Sequence, residues 1–458
     1  MAAHPLAFLR ASTGVSHPSY ARLVAETHAK LGYGHMAARR EKIWRWESGR
    51  TVPELTAQLA IAHLHQVPED DVRRLGWPHW LHLAAGDAVL LTRPWTPRGA
   101  IDALRDGSRL AERRDLSYLA VTGPFVDTLT RQWTSAAAPA LPVRADGRKP
   151  GEPHPTEPHP GEPDTVYRAR VRVEALETMA STLPAAVLHP AARDDLSLLT
   201  SLVSAAGHDS AATAPLLLLA ARTANLCAGL CIALGEGATA ERYYLLAARA
   251  ATAADHPELS AACLAGIAYS HLLEGAPGEV IPLVEAAFTA LRTPSHHLAG
   301  VLHLLAARAH ALAGEATPCA RALERAGTAL AAHAAARLGE PCPLARDLDE
   351  DCAAVVAGTT AFHLGRPRQA LGHFAPLLDT SRFFGIRPFA VHELLHVVDT
   401  QLALGEVEAA ADTAGRAVAH CDGPPAKVVR QYQKRFAAHG TVPAVRDLLA
   451  SLTPHLVG

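Results

Sequence analysis

Two stretches of this 458-residue chain carry residues whose types and spacing suit them to chemistry. The first runs from Arg39 to Arg50, RREKIWRWESGR, and holds five cations: Arg39, Arg40, Lys42, Arg45 and Arg50. Arginine and lysine hydrogen-bond the guanine edge in a major groove or contact phosphates, and a carboxylate such as Glu41 accepts from cytosine N4 or repels phosphate. Taken alone, such a run also reads as a solvated helix face. The second stretch is His392-Glu393-Leu394-Leu395-His396. Histidines at i and i+4 share a helix face and can bind zinc, while the glutamate between them can activate a water.

The wider sequence weighs differently on the two. The 26 histidines are dense enough to make chance H-E-x-x-H matches ordinary, and the second stretch sits inside a repeating helical pattern that a protease fold would break. Its residues are therefore expected to be ordinary helical positions, with no metal, no cofactor and no enzyme activity; Glu406 and Glu408 could serve as a third ligand, but nothing in the sequence marks them. The first stretch lies where charge favours its reading. The chain as a whole carries a net charge of -2, yet its first fifty residues hold eight Lys or Arg against three Asp or Glu. A local basic surplus is the electrostatic footprint of a nucleic-acid module.

The elements around Arg39–Arg50 are short helices. Leu6–Ser12 is expected to form a first helix stopped by Gly14. Ser16 caps a second, Ser19–Leu31, which places Tyr20, Leu23, Val24, Thr27 and Leu31 on one face and ends at Gly32. Met36–Trp46 forms a third, followed by Glu54–Gln66 and Glu69–Leu75. The Trp77–Trp80 segment is expected to pack as a lid on the last of these.

This arrangement resembles the Xre-type helix-turn-helix of the Cro/C1 repressor class. Ile43, Trp46, Glu47, Gly49 and Pro53 fill that class's Ile, bulky apolar, Glu-x-Gly and Pro positions, over a stretch from Gly32 to Ile43 that is several residues longer than usual. The resemblance implies that Ile43 and Trp46 face inward and hold the third helix. It leaves Arg39, Arg40, Lys42 and Arg45 outward with Glu41 and Trp44 beside them. It also implies an Arg10–Glu47 ion pair. Arg50 and Tyr20 are phosphate-contact candidates, and double-stranded DNA is the implied partner.

Beyond residue 165 the chain reads as helix after helix. Helices end at Gly235, Gly275, Gly314, Gly365 and Gly405. Five and twelve residues after each glycine come Ala240 and Ala247, Val280 and Ala287, Cys319 and Ala326, Ala370 and Leu377, and Ala410 and Ala417. Small or apolar residues seven apart let a second helix pack closely on the first. The pattern, over roughly residues 210–420, resembles tetratricopeptide repeats at a longer period, whose stacked units make a curved solenoid with a concave groove. The expected fold is all-α: an Xre-type helix-turn-helix at 1–83, a helical connector at 84–140, a Pro-rich linker at 141–165, and a TPR-like sensor and dimerisation domain at 166–458. Within that groove, Arg222 and Asn225, with His303 and His310 of the heptad-spaced His296, His303 and His310, are candidate contacts for a small-molecule, peptide or protein ligand.

The N-terminus lacks a basic segment followed by an apolar one, and Arg222 and Asn225 interrupt the longest apolar run. A cytoplasmic protein without a membrane span is expected. Seven scattered cysteines without a C-x-x-C pair fit reduced structural thiols. The order of parts, with Trp95-Thr96-Pro97 and Arg113–Gly123 between the two domains, resembles a family of actinobacterial regulators, some of which repress antibiotic production and sporulation. The implied function is a homodimeric DNA-binding transcription regulator gated at its repeats. The alternative is a scaffold or anti-activator whose N-terminal domain no longer reads DNA; the minor one is a peptidase fused to the helix-turn-helix.

Overall fold

The computed structural model describes residues 4–111, 117–137, 163–207, 210–336, 350–378, 390–419 and 426–456. Every regular element among them is helical. The chain opens with α1 (Pro5–Ser12), α2 (His17–Lys30), α3 (Arg40–Glu47), α4 (Leu55–Leu64), α5 (Glu69–Leu75) and α6 (Leu81–Ala85). These build a core of their own from Leu6, Phe8 and Leu9 of α1, Tyr20 and Val24 of α2, Ile43 and Trp46 of α3, Ile61 of α4 and Val72 of α5. Burying each large apolar side chain contributes about 1.5–3 kcal/mol. Ser16 caps α2 by accepting from the Ser19 amide, and Gly14, Gly32 and Gly49 take left-handed φ values of 69°, 83° and 68° where helices end. Trp80 is wholly buried and donates to Gln58 Oε1 at 3.3 Å, with Trp77 edge-on beside it, so the aromatic pair closes this unit as a lid.

Two local expectations are corrected. The third helix starts at Arg40 rather than Met36. Met36 packs into the core from a loop that Gly34 bends, with φ 86°, and that His28 Nδ1 fastens to Gly34 O at 3.0 Å. Leu23, expected on the buried face of α2, is 40% exposed.

The stretch expected as a connector is part of the main body. α7 (Ala88–Leu91), α8 (Pro97–Ala111) and α9 (Pro124–Ala137) contribute Leu90, Ile101, Leu104, Phe125, Leu129 and Trp133 to its core. Of the Pro-rich linker, residues 141–162 lie outside the described residues, and α10 (Asp164–Met179) begins within the last residues assigned to it. α11 (Ala185–Ala206) follows.

Five helix pairs then succeed one another: α12 (Thr213–Ala233) with α13 (Gly237–Ala253), α14 (Pro257–Leu273) with α15 (Val280–Leu291), α16 (His296–Leu312) with α17 (Ala316–Ala336), α18 (Glu350–His363) with the broken α19 (Pro367–His373) and α20 (Ala375–Leu378), and α21 (Ala390–Ala403) with α22 (Val407–Ala419). All five turns share one geometry. The glycine sits at φ between 73° and 81°. The next amide reaches back to the carbonyl five residues earlier: Glu236 to Cys231, Ala276 to His271, Glu315 to His310, Arg366 to Ala361 and Glu406 to Gln401, at 2.8–2.9 Å. This is the bond that closes a glycine-terminated helix. Every residue expected at the close-packing offsets is buried, from Ala240 to Ala417. Each second helix also packs on the first helix of the next pair. α23 (Ala426–Phe436) and α24 (Pro443–Leu452) cap the end through Tyr432, Phe436 and Leu448.

α12 is long and apolar enough to cross a membrane by composition, but 67% of that apolar window is buried inside the fold, where α11 and α13 pack against the helix. Cys227, Cys231, Cys263, Cys319 and Cys352 are buried free thiols, and burial pushes the Cys227 thiol up, away from reactivity. Cys342 and Cys421 lie outside the described residues.

Candidate nucleic-acid interface

α3 is held by its inner face. Ile43 and Trp46 are 1% and 6% exposed, whereas Arg39, Arg40, Glu41, Trp44, Arg45 and Arg50 are exposed and Lys42 is half-buried. The end of α3 is clamped to α1. Arg10 Nε donates to Glu47 Oε1 at 2.6 Å and Arg10 Nη2 to Glu47 Oε2 at 3.3 Å, while Arg10 Nη1 caps Val15 O at 3.1 Å. His17 Nε2 lies 2.8 Å from Glu47 Oε2 and is a second partner of that carboxylate that the sequence did not single out. The forked geometry fixes the angle between the helices. Gly49, in its left-handed conformation, turns the chain so that the Arg50 guanidinium lies 4.5 Å over the Trp44 ring.

The outer face therefore presents five cations beside one accessible carboxylate, because Glu47 is turned inward. That carboxylate, Glu41, bonds Arg40 Nε at 3.0 Å. Its own backbone amide and the Arg40 guanidinium hold it below the usual carboxylate range. A stacked Arg50 and an exposed Arg45 suit different tasks: one is pre-oriented, the other adaptable.

Tyr20 is not part of this face. It is 2% exposed, its hydroxyl bonds His65 Nε2 at 2.8 Å, and burial pushes its phenol up. Its position on the apolar side of α2, with Val24, leaves it no path to a phosphate.

Behind the N-terminal unit lies a buried polar network that the sequence did not disclose. Tyr118, from the segment singled out at Arg113–Gly123, packs its ring on Phe8 of α1 and donates to Asp87 Oδ2 at 2.7 Å. Asp87 Oδ1 accepts from Arg242 Nε of α13 at 3.0 Å and forms an ion pair with Arg242 Nη2, 2.9 Å away. Arg242 Nη1 donates to the carbonyls of Tyr118 and Ala238. Next to it, Glu241 accepts the amides of Ala120 and Val121 at 2.6 and 3.1 Å and sits 3.0 Å from His271 Nε2. Burial opposes the Asp87 charge, but the Arg242 guanidinium overrides it and holds the carboxyl below its ordinary range. The network ties the first six helices to the helix pairs, at the point where Tyr118 joins the N-terminal core.

The four groove candidates do not converge. Arg222 forms a two-pronged pair with Glu177 of α10, at 3.0 and 2.6 Å, so its charge is spent inside the fold. Asn225 Oδ1 lies 3.8 Å from Cys263 Sγ. His303 packs on Phe288 with ring centroids 4.8 Å apart, and burial and Arg325 push its pKa down. His310 Nδ1 is 2.6 Å from Glu315, across its own glycine turn. The first two lie on α12 and the last two on α16, with α14 packed against both helices.

The H-E-x-x-H stretch is built into the fold as well. Glu393 is buried, accepts Arg308 Nη1 at 2.7 Å and Thr359 Oγ1 at 2.9 Å, and is held below its ordinary pKa against its own burial. A carboxylate so paired is not free to activate a water. The side chain of His392 lies outside the described residues. Among the described residues no three His, Cys, Asp or Glu side chains gather as a metal site.

Compared with profiles of known protein families the chain matches none, and compared with curated proteins it finds no relative.

Proposed function

We propose that this chain is a DNA-binding transcription regulator whose N-terminal helix-turn-helix reads a duplex and whose TPR-like helical body receives the controlling signal, in the manner of the actinobacterial Xre-type regulators it resembles. The observation that carries the reading is the two-faced α3. Ile43, Trp46 and the Arg10–Glu47 clamp fix one side, and Arg39, Arg40, Lys42, Arg45 and Arg50 stand on or beside the other. An eight-residue helix presenting arginines from its first turn fits a major groove, and Arg50 and Trp44 at its exit suit the flanking backbone. One such helix covers a half-site, so a homodimer spanning two half-sites about one turn apart follows. The five glycine-turned helix pairs supply the body on which a ligand or partner acts.

Genome-wide mapping of bound DNA, followed by titration of the mapped site, tests the reading. Arg40→Ala and Arg45→Ala should each weaken specific binding by roughly tenfold or more and relax preference at one base pair, since a base contact is worth about 1–3 kcal/mol. Arg50→Ala should weaken all sequences alike and lower the salt slope by about one. If the wild-type protein binds duplex DNA without sequence preference, or if the α3 variants bind as the wild type does, the scaffold reading replaces this one.

A further inference from the structure

We propose that the cleft between the Pro94–Trp95 turn and the end of α9 is a binding site for a small anionic molecule, a carboxylate or phosphate ester, whose acid group is taken by Arg249 and the Trp95 indole. The inference takes from the preceding reading only that the body receives a ligand, and it is tested without DNA.

Arg249 stands on α13 and is 1% exposed. A guanidinium carries five N–H donors and keeps its charge at neutral pH. In this fold Nη1 alone is satisfied, by the Arg93 carbonyl. Nε and Nη2 are buried and meet no acceptor, and no carboxylate pairs with them among the described residues. Burial without a counter-ion pulls the guanidinium down to about 10. The plane stacks on Trp95, 4.5 Å from its ring centre, and the indole Nε1–H is buried and unpartnered too. Three buried donors and no acceptor therefore meet around one tryptophan. A core selected for stability alone would supply a carboxylate or an apolar side chain here.

Trp95 also lines a solvent-open cleft of about 450 Å³, bounded by Pro94, Arg131, Gln132 and Ser135, and Arg249 lies behind the indole rather than on the cleft wall. Arg131 is exposed and forms no ion pair among the described residues, so the rim adds a second cation and an amide. That volume suits a metabolite-sized ligand. The turn is rigidly seated: Thr96 Oγ1 caps the Gly99 amide at 3.2 Å, and a Cβ at Gly99 would stand 2.1 Å from the Pro94 carbonyl. An acid group entering from the cleft reaches Arg249 by displacing the Trp95 ring, and is then held by charge-assisted bonds in a water-poor pocket.

The site also has a route to the N-terminal unit. The strand of chain that carries Arg93 and Trp95 runs straight back through α7 to Asp87, the carboxylate that Arg242 and Tyr118 grip. A ligand that displaces the Trp95 ring acts on the segment bearing that lock.

The test uses the full chain, without DNA, and reads the thermal midpoint against sodium phosphate, sodium citrate and sodium chloride at matched ionic strength. Phosphate or citrate should raise the midpoint saturably, with half-saturation at millimolar concentration or below, where chloride does not. Saturation by phosphate alone assigns a phosphate ester, and saturation by citrate alone a carboxylate. Arg249→Met, which keeps the bulk of the side chain and removes the charge, should abolish the saturable response. The surface pair Arg131→Ala and Gln132→Ala, which touches no core, should weaken it at least threefold and serves as the arm that does not depend on Arg249→Met folding. A wild type that responds to all three salts alike overturns the proposal, as does a saturable response that survives unchanged in the variants. Neither outcome bears on whether α3 binds DNA.

Discussion

Arg242 and Arg249 lie seven residues apart on α13, both at 1% exposure or less, yet they do different work. Around Arg242 the chain assembles a carboxylate, a phenol and two carbonyls from three separate segments. Burial alone would lower its pKa, and Asp87 more than reverses that, so the guanidinium is held above its ordinary range. Around Arg249 there is one carbonyl and the face of Trp95, and the pKa falls to about 10. Depth is the same, so depth does not decide the role of a buried cation. The counter-ion does. Arg242 has become a lock between the N-terminal unit and the body, whereas the charge of Arg249 is unspent.

The sharpest way to break this comparison is to give Arg242 the surroundings of Arg249. Asp87→Ala should destabilise the full chain by about 3–5 kcal/mol, because it strands a buried guanidinium and frees the Tyr118 hydroxyl at once. Chemical denaturation followed by far-UV circular dichroism reads the loss. Removing the Asp87 carboxylate without moving the midpoint would mean that Arg242 is not held by charge.

A milder case is the clamp on α3. Glu47→Ala also strands an arginine, but Arg10 is 16% exposed and keeps its bond to the Val15 carbonyl. The expected cost is about 1–3 kcal/mol, well below that of Asp87→Ala, and it should fall on the N-terminal unit. Hydrogen exchange of the α1 and α3 amides, set against those of α13, measures both the size and the confinement of the effect.

The reach of the sequence follows the same division. The Arg10–Glu47 pair, whose partners are 37 residues apart, was legible only through the resemblance to the Xre class. The five glycine turns were legible locally, since each is closed by backbone bonds within six residues. Asp87 and Arg242 are 155 residues apart, and neither has a spacing that marks it. Tyr20 and Arg222 were misplaced because a tyrosine or an arginine looks available until its partner is known. Those partners, His65 and Glu177, are each 45 residues away. The arginines of α3 were readable as an outward set from the resemblance alone, but the stacking of Arg50 on Trp44 depends on the left-handed turn at Gly49.

A smaller effect comes from a cap that acidification removes. His4 Nδ1 accepts the Leu6 amide at the start of α1, which requires that nitrogen to be unprotonated. Burial lowers its pKa from 6.5 to about 4. The unfolded chain therefore binds a proton near pH 6.5 that the folded chain refuses until about pH 4. Stability is present above pH 6.5 and is lost as the pH falls through that window, by about 1–2 kcal/mol once partial exposure is allowed for. In His4→Asn, which keeps a capping acceptor and does not titrate, this contribution to the pH dependence of the midpoint should vanish. Equal pH profiles for the two proteins would show that the cap does not carry it.

The smallest effect, and the one that separates the two arginines most cleanly, is expected for Arg249→Met in the absence of added anions. Truncating one partner of a buried pair is costly because a charge is left behind, but Arg249 has no partnered carboxylate to leave behind among the described residues. The substitution gives up one bond to the Arg93 carbonyl and the stacking on Trp95, each worth about 1 kcal/mol. It also removes the desolvation penalty of an uncompensated guanidinium, which is larger than either. Methionine fills similar volume and makes favourable contacts with an indole ring. The balance puts the variant within about 1 kcal/mol of the wild type, with any shift toward greater stability. The opposite sign from Asp87→Ala, at an arginine two turns along α13 from the one that Asp87 holds, is the signature to look for in the denaturation midpoints. A loss of several kcal/mol in Arg249→Met would mean that this guanidinium is a structural cation after all, and the contrast with Arg242 would collapse.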